Sequence, residues 1–322
     1  MAEPILQVDN LHLSFVSGGQ KTPVVRGLSY TLEKGKVLAV VGESGSGKTV
    51  QALSILNLLP PGGHVDGGKI GYNGKNLLTL KPAALRQIRG KKIAMIFQDP
   101  SSSLNPVLTI GEQLTETLQA HQKISKSIAR QKAAKLLTQV GIADAEKRLD
   151  EYPFQFSGGM CQRVMIAMAL LLNPDILIAD EPTTALDVTV QAQILKLLKT
   201  LQQQNGMSVI FITHNLAVAA QIADEVLVLY AGQCMEYAPA KSLFKNPLHP
   251  YTQGLLGSLA SIHTKPDRLP AIAGNPPLPG EELPGCPFAP RCPHVLEKCR
   301  TACPAFVKKE GRYVRCFLQE GK

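Results

Sequence analysis

Residues 42–49 read Gly42-Glu43-Ser44-Gly45-Ser46-Gly47-Lys48-Thr49, the composition of a phosphate-binding loop. Glycines let successive backbone N–H groups converge on an anion, and a helix opening at Thr49 adds partial positive charge. In that setting Lys48 is spaced to reach β- and γ-phosphates, and the Thr49 hydroxyl to ligate Mg²⁺. Asp180-Glu181 ends the apolar run 176–179 (ILIA). A carboxylate at the end of a buried strand can hold Mg²⁺ through water while its neighbour polarises an attacking water. His214 closes the run 209–212 (VIFI) after one threonine, and Gln98 follows 93–97 (IAMIF). Each would be unremarkable alone. Beside a phosphate loop they are candidates for the γ-phosphate, Mg²⁺ and water network.

The elements that must position these groups are legible. Short continuous runs such as Val37–Val41 (VLAVV), 176–179, 209–212 and 226–230 (VLVLY) suit strands buried on both faces of a parallel sheet. Helical patterns lie between them at 49–59, 128–140, 164–172 and 190–204, which predicts a doubly wound α/β core. Residues 1–35 alternate in the manner of antiparallel edge strands, and 100–160 read as a helical insertion. Beyond about residue 240 the composition changes: more than half of the 23 prolines fall there, as do five of the seven cysteines. That stretch reads as a small appended domain held at a distance by a Pro-rich chain.

Composition excludes several classes. The chain has 322 residues, 44% hydrophobic and 18% charged, enough for about two domains with real cores. Its longest apolar run, 164–172, is nine residues, far short of the ~20 that span a bilayer. The start, MAEPILQVDN, carries Glu3 and no apolar stretch, so no secretory signal is expected. The net charge is +9, with cations concentrated at 81–92 and 123–135. Nothing interleaves aromatics with them, so no nucleic-acid partner is expected.

Five cysteines run Cys286–x5–Cys292–x6–Cys299–x3–Cys303–x12–Cys316, without the paired C–x2–C knuckles of a zinc ribbon. An odd count argues against a disulfide scaffold. Soft thiolates favour a metal, and the spacing alone leaves iron–sulfur, zinc, a disulfide and no metal open. Cys161 and Cys234 lie far away in sequence and read as ordinary buried thiols.

Taken in order, these motifs resemble the ATPase subunits of ATP-binding cassette (ABC) transporters, P-loop NTPases in fold. Residues 42–49 match the Walker A, Gln98 the Q-loop, and Phe156-Ser157-Gly158-Gly159-Met160 the signature. Residues 175–182 (DILIADEP) match the Walker B, Ala185-Leu186-Asp187 the D-loop, and His214 the switch histidine. Phe15 falls where the family stacks an aromatic on adenine. The resemblance implies ATP and Mg²⁺ as ligands, the cation held by Thr49, Gln98 and Asp180. It gives Glu181, His214 and Gln98 catalytic roles. It also implies head-to-tail pairing, in which Ser157, Gly158, Gly159, Gln162 and Asp187 serve the ATP held by a second ATPase subunit.

Residues 246–259 and 271–292, with Met160 in the signature, resemble the oligopeptide and dipeptide importer branch. Cys161 and Asn215 depart from that branch, where a basic residue and Asp are usual. The branch implies a 4Fe–4S cluster on the extension. Cys286, Cys292 and Cys299 match its first three ligands, and family position selects Cys316 over Cys303 as the fourth. The expected domains are an ATPase at 1–240, with a helical subdomain at about 100–165, and an extension at 241–322. The expected role is to power peptide uptake from the cytoplasmic face of the inner membrane. The partners would be a second ATPase, a paralogue in preference to self, two permease subunits and, indirectly, an extracytoplasmic solute-binding protein. Nickel or metallophore import, and a soluble ABC ATPase without a membrane partner, are the alternatives. A third, a GTPase read from Thr264-Lys265-Pro266-Asp267, is weaker because that tetrapeptide lies in the Pro-rich tail.

Overall fold

The computed structural model describes residues 4–184, 186–258, 272–278, 280–281 and 283–320. Ala185 of the D-loop motif and the 264–267 tetrapeptide lie outside the described residues. The chain forms two compact units, Met1–Thr79 with Phe211–Lys322, and Leu80–Ile210.

In the first unit, strands β1 (Leu6–Ser17) and β2 (Gln20–Leu32) form an antiparallel hairpin, and β3 (Val37–Val41) runs into helix α1 (Lys48–Ile55). Strands β4 (Gly63–Tyr72) and β5 (Lys75–Asn76) complete a four-stranded antiparallel sheet in the order β2-β1-β4-β5. This is the edge that the alternating stretches of residues 1–35 predict.

The second unit holds α2 (Pro82–Ile88), β6 (Ile93–Ile96), α3 (Pro100–Ser103), α4 (Ile110–Gln119), α5 (Lys126–Gln139), α6 (Ala145–Arg148) and α7 (Gly158–Leu170). Then follow β7 (Ile176–Asp180), parallel to β6, and α8 (Val188–Asn205). Residues 100–165 hold helices and no strand, as the absence of strand-like runs predicts. The starts of α4 and α5 are capped: Thr109 and Glu112 form a capping box on α4, and Ser125 caps α5. Leu118, Ala129 and Leu172 bury the seam between α4, α5 and the turn that follows α7.

The chain returns to the first unit within β8 (Ser208–Thr213), followed by α9 (Leu216–Ile222), β9 (Glu225–Tyr230) and β10 (Gln233–Pro239). Strand β9 lies parallel to β3, with Val41 opposite Val228, and β10 turns back antiparallel. Every residue of β3 is buried, as a strand covered on both faces requires. Helices α10 (Ala240–Lys245), α11 (Pro250–Gly257) and α12 (Lys298–Thr301) and strands β11 (Val307–Lys309) and β12 (Arg312–Val314) complete the unit.

The extension is not held at a distance. Strand β12 adds to the open edge of β10, with Tyr237 opposite Tyr313. Phe288 is wholly buried against Tyr230 and Tyr251, with ring centroids 5.4 and 5.2 Å away. Val314 and Cys316 bury with Leu248. Prolines stiffen this segment, but its few large apolar side chains carry enough burial energy, roughly 2 kcal/mol each, to join it to the core.

Candidate functional site

The phosphate-binding loop lies where strand β3 meets helix α1. A Cβ on Gly42 would run into the Leu229 carbonyl oxygen on β9, so only glycine allows that approach. Gly47 is the N-cap of α1 at φ 96°, a left-handed conformation that a side chain would strain. Ser44 and Gly45 are exposed at the crown of the loop, while Ser46 and Lys48 are buried. The Lys48 ammonium donates to the carbonyls of Gly42 and Glu43 at 2.8 and 2.9 Å. Ser46 Oγ is buried without a hydrogen-bond partner. An orphaned hydroxyl is costly unless something else takes it up. It sits in the loop whose sequence predicts a phosphate, and Thr49 follows on the first turn of the helix.

Glu43 is held at both ends. Its N–H donates to the Tyr251 hydroxyl at 3.1 Å, and its carboxylate accepts two hydrogen bonds from Arg291, at 2.7 and 3.0 Å. Its backbone belongs to the loop, but its carboxylate is committed to the extension. Tyr251 and Arg291 fall inside the two stretches that resemble the importer branch, but the sequence gives neither of them a role at the loop.

Two further predicted residues belong to this unit. Phe15 is half-buried on β1, opposite Thr22, with its ring over Gly63. His214 is exposed directly beyond β8. The next residue, Asn215, caps α9 by accepting from the N–H groups of Ala217 and Val218. Asn caps as well as Asp does, so this departure from the branch is structurally silent.

In the second unit, β6 and β7 run side by side and deliver Gln98 and Glu181 together. The Gln98 amide donates to Glu181 Oε2 at 3.3 Å, and Thr184 Oγ1 donates to the same oxygen at 2.8 Å. Thr184 is a partner that the sequence reading missed, although it lies only three positions on. Glu181 sits at φ 44°, rare for a non-glycine residue, and strain of this kind gathers at functional sites. Asp180 is buried at the last position of β7. A carboxylate at the end of a strand is a hard oxygen donor of the kind that Mg²⁺ takes.

The signature residues open helix α7. Ser157 is its N-cap, with Oγ accepting from the Met160 N–H at 3.3 Å. Ser157 and Gly158 are exposed, and a side chain on Gly158 would meet nothing. Gly159 is closed on one side by Val190. Gln162 is buried, with its amide nitrogen unpartnered. Asp187 caps α8 through the Val190 N–H at 2.9 Å. Cys161 packs in the interior with its Sγ 3.5 Å from the Pro153 carbonyl, and Cys234 is also buried.

Among the described residues, no group of three or more His, Cys, Asp or Glu side chains is placed to hold a single metal ion. Cys286, Cys292, Cys299 and Cys316 do line one narrow void, walled also by His249 and Phe288. Four soft thiols around one void have the donor chemistry that an iron–sulfur group takes. Burial pushes the Cys286 thiol up to about 12, with the neighbouring thiols pushing the same way. Burial and the other thiols likewise raise Cys292 and Cys316. Cys303 is exposed instead, with Sγ 3.4 Å from the Gln233 side-chain oxygen.

Comparison with known proteins agrees with these motifs. Residues 25–184 match the ABC transporter family, and residues 235–299 match the oligopeptide/dipeptide transporter C-terminal region. The dipeptide transport ATP-binding protein DppD of Bacillus subtilis is 50% identical over 320 residues, 99% of this chain and 96% of that protein. The oligopeptide transport ATP-binding protein OppD of Salmonella typhimurium is 46% identical over 316 residues, 98% and 94% of the two chains. Among solved structures, a dimeric post-hydrolysis state of the ATP-binding cassette MJ0796 bound to ADP and Pi is similar, at a TM-score of 0.66 and 27% identity. That match covers 73% of this chain and 98% of the other. With its P-loop, strained glutamate and capped signature helix, the chain therefore belongs to the ABC transporter family, as an ATP-binding subunit of the oligopeptide/dipeptide transporter branch.

Proposed function

We propose that this chain hydrolyses ATP to power the uptake of di- or oligopeptides through a membrane importer. The observation that carries the reading is identity at 50% across 99% of the chain with a dipeptide transport ATP-binding protein, with the extension included. No described helix is long and apolar enough to cross a membrane. The transmembrane path then belongs to two permease subunits, and this chain works at the cytoplasmic face of the membrane. A second ATPase, a paralogue in preference to self, completes the pair, and a solute-binding protein delivers the peptide from outside.

The loop N–H groups and the Lys48 ammonium bind the β- and γ-phosphates, and Phe15 stacks on adenine. Thr49, Asp180 and Gln98 hold Mg²⁺, which screens phosphate charge when bound. Glu181 takes a proton from the water whose oxygen forms a bond to the γ-phosphorus, while the bond from that phosphorus to the bridging oxygen of ADP breaks. Gln98 orients the water and His214 the γ-phosphate. Ser157, Gly158, Gly159, Gln162 and Asp187 act on the ATP of the partner ATPase. Cys286, Cys292, Cys299 and Cys316 hold a 4Fe–4S cluster, which supplies electron-transfer capacity or a covalent tie within the extension.

The test is purification of the tagged chain from detergent-solubilised membranes, followed by ATPase assay of the complex in vesicles. Two permeases and a second ATPase should co-purify, and peptide with its binding protein should stimulate ATP turnover. Recovery without membrane proteins would favour a soluble ABC ATPase. Stimulation by a nickel chelate and not by peptide would move the substrate class, and preference for GTP would overturn the nucleotide.

A further inference from the structure

The contact between Arg291 and Glu43 joins positions 248 apart in sequence, one in the Cys-bearing extension and one in the phosphate loop. It is bidentate, and the Arg291 side chain is 5% exposed. A fork of two charge-assisted hydrogen bonds fixes direction as well as distance. The guanidinium is itself immobilised: it donates to the Tyr230 hydroxyl at 3.2 Å and to the Ala273 carbonyl at 3.1 Å, and lies 5.7 Å from the centre of the Tyr230 ring. The Tyr251 hydroxyl holds the other end of Glu43. Residues 276–278 of the extension line the same hollow as loop residues 43–46.

The residue gripped in this way is the one that organises the loop. The Glu43 carbonyl accepts from the Lys48 ammonium at 2.9 Å and from the Ser46 N–H at 3.3 Å. Arg291 thus acts on the loop's lysine through one intermediate residue. We propose that Arg291 is a positioning residue for the phosphate loop, through which the Cys-bearing extension sets the affinity of the chain for nucleotide. Cys292 follows Arg291 directly and lines the void shared by four thiols. A rearrangement among those thiols moves Arg291 and reaches Lys48. By linkage, bound nucleotide biases the extension in return.

The proposal rests on the ATP reading above, and the experiment separates the two. Binding of a fluorescent ATP analogue with Mg²⁺ to the full chain is measured well below the melting temperature of each variant, which is recorded alongside. Wild type and Lys48→Ala test the ATP reading alone: if wild type binds nothing, that reading falls and this inference with it. Given wild-type binding, Arg291→Met and Glu43→Gln should each weaken affinity at least fivefold, the lower end of coupling between sites. The double variant should be no weaker than the worse single, because each removes the same contact. Arg291→Lys, which keeps the charge but not the fork, should fall between wild type and Arg291→Met. Affinity within fivefold of wild type despite a lowered melting temperature would make the contact a structural tie and overturn the proposal. So would additive losses in the double variant. If Arg291→Met does not fold, Arg291→Lys decides: a measurable loss of affinity supports the positioning role, and unchanged affinity overturns it.

Discussion

Glu181 concentrates the chemistry of the second unit. Its carboxylate is held by Gln98 and Thr184 while its backbone sits in a conformation that side chains rarely adopt. Glu181→Gln keeps the shape and removes the proposed base, so ATP should still bind while turnover falls at least ~10²-fold. A single-turnover assay checks this, and near-normal hydrolysis would transfer the base role elsewhere. The cysteines allow an equally local test. Cys316 lines the void with the other three thiols and Cys303 does not. Protein purified without oxygen should be brown, with about four irons per chain. Cys303→Ser should keep the colour and Cys316→Ser should lose it. The reverse pattern would reassign the fourth ligand, and zinc in the wild type would remove the cluster. At this scale the sequence is readable where placement is local: Lys48, Thr49 and Glu181 stand within a few positions of the glycines or strands that position them. Arg291 was not readable, because an arginine 248 positions from its partner leaves no spacing or periodicity to detect.

At the scale of elements, the same residues often cap a helix and offer a functional group. Ser157 and Asp187 each accept from the backbone N–H of the third residue of α7 and α8. A Ser157→Arg variant therefore loses an N-cap, at a cost of about 1 kcal/mol, and places a large cation at the positive end of a helix. Both effects should lower the stability of α7 modestly. Affinity of the isolated chain for ATP should stay within about twofold, because Ser157 is proposed to serve the partner's nucleotide. Activity of the assembled complex should drop sharply. Equilibrium binding to the isolated chain and turnover by the complex separate these outcomes. Loss of ATP binding by the isolated chain would contradict head-to-tail pairing. The strands and helices themselves are legible because buried parallel strands read as short Val- and Ile-rich runs with helical patterns between them. Gly42 was legible as part of a motif, but its reason, the approach of Leu229 on β9, appears only in three dimensions.

At the scale of the molecule, the sequence reading erred on the extension, and His249 shows why. Composition marks the stretch after residue 240 as different, but a different composition does not make a separate body. Folding reverses this: His249 is buried behind Phe288, its Nδ1 accepts from the Tyr251 N–H, and its backbone N–H donates to buried Glu236. Burial holds the imidazole neutral and depresses its pKa to about 3. In the unfolded chain the group protonates near 6.5. Below that pH the unfolded state binds a proton that the folded state refuses. The stability due to His249 is therefore complete above pH 6.5 and is lost as pH falls toward 3. Glu236 and Glu225 work in the opposite sense: burial raises both, so their carboxyls favour the folded state as pH falls. The wild-type pH profile sums these trends, and the difference from a His249→Asn variant isolates the histidine. Asn can still accept from the Tyr251 N–H but does not titrate. Denaturant unfolding should find the variant less stable at pH 7, where the lost ring packing dominates. By pH 5 the gap should have narrowed by about 2 kcal/mol, because only the wild type must exclude a proton there. A gap of constant size between pH 7 and pH 5 would mean that the folded extension admits a proton at His249, and that its core around Phe288 is open to water.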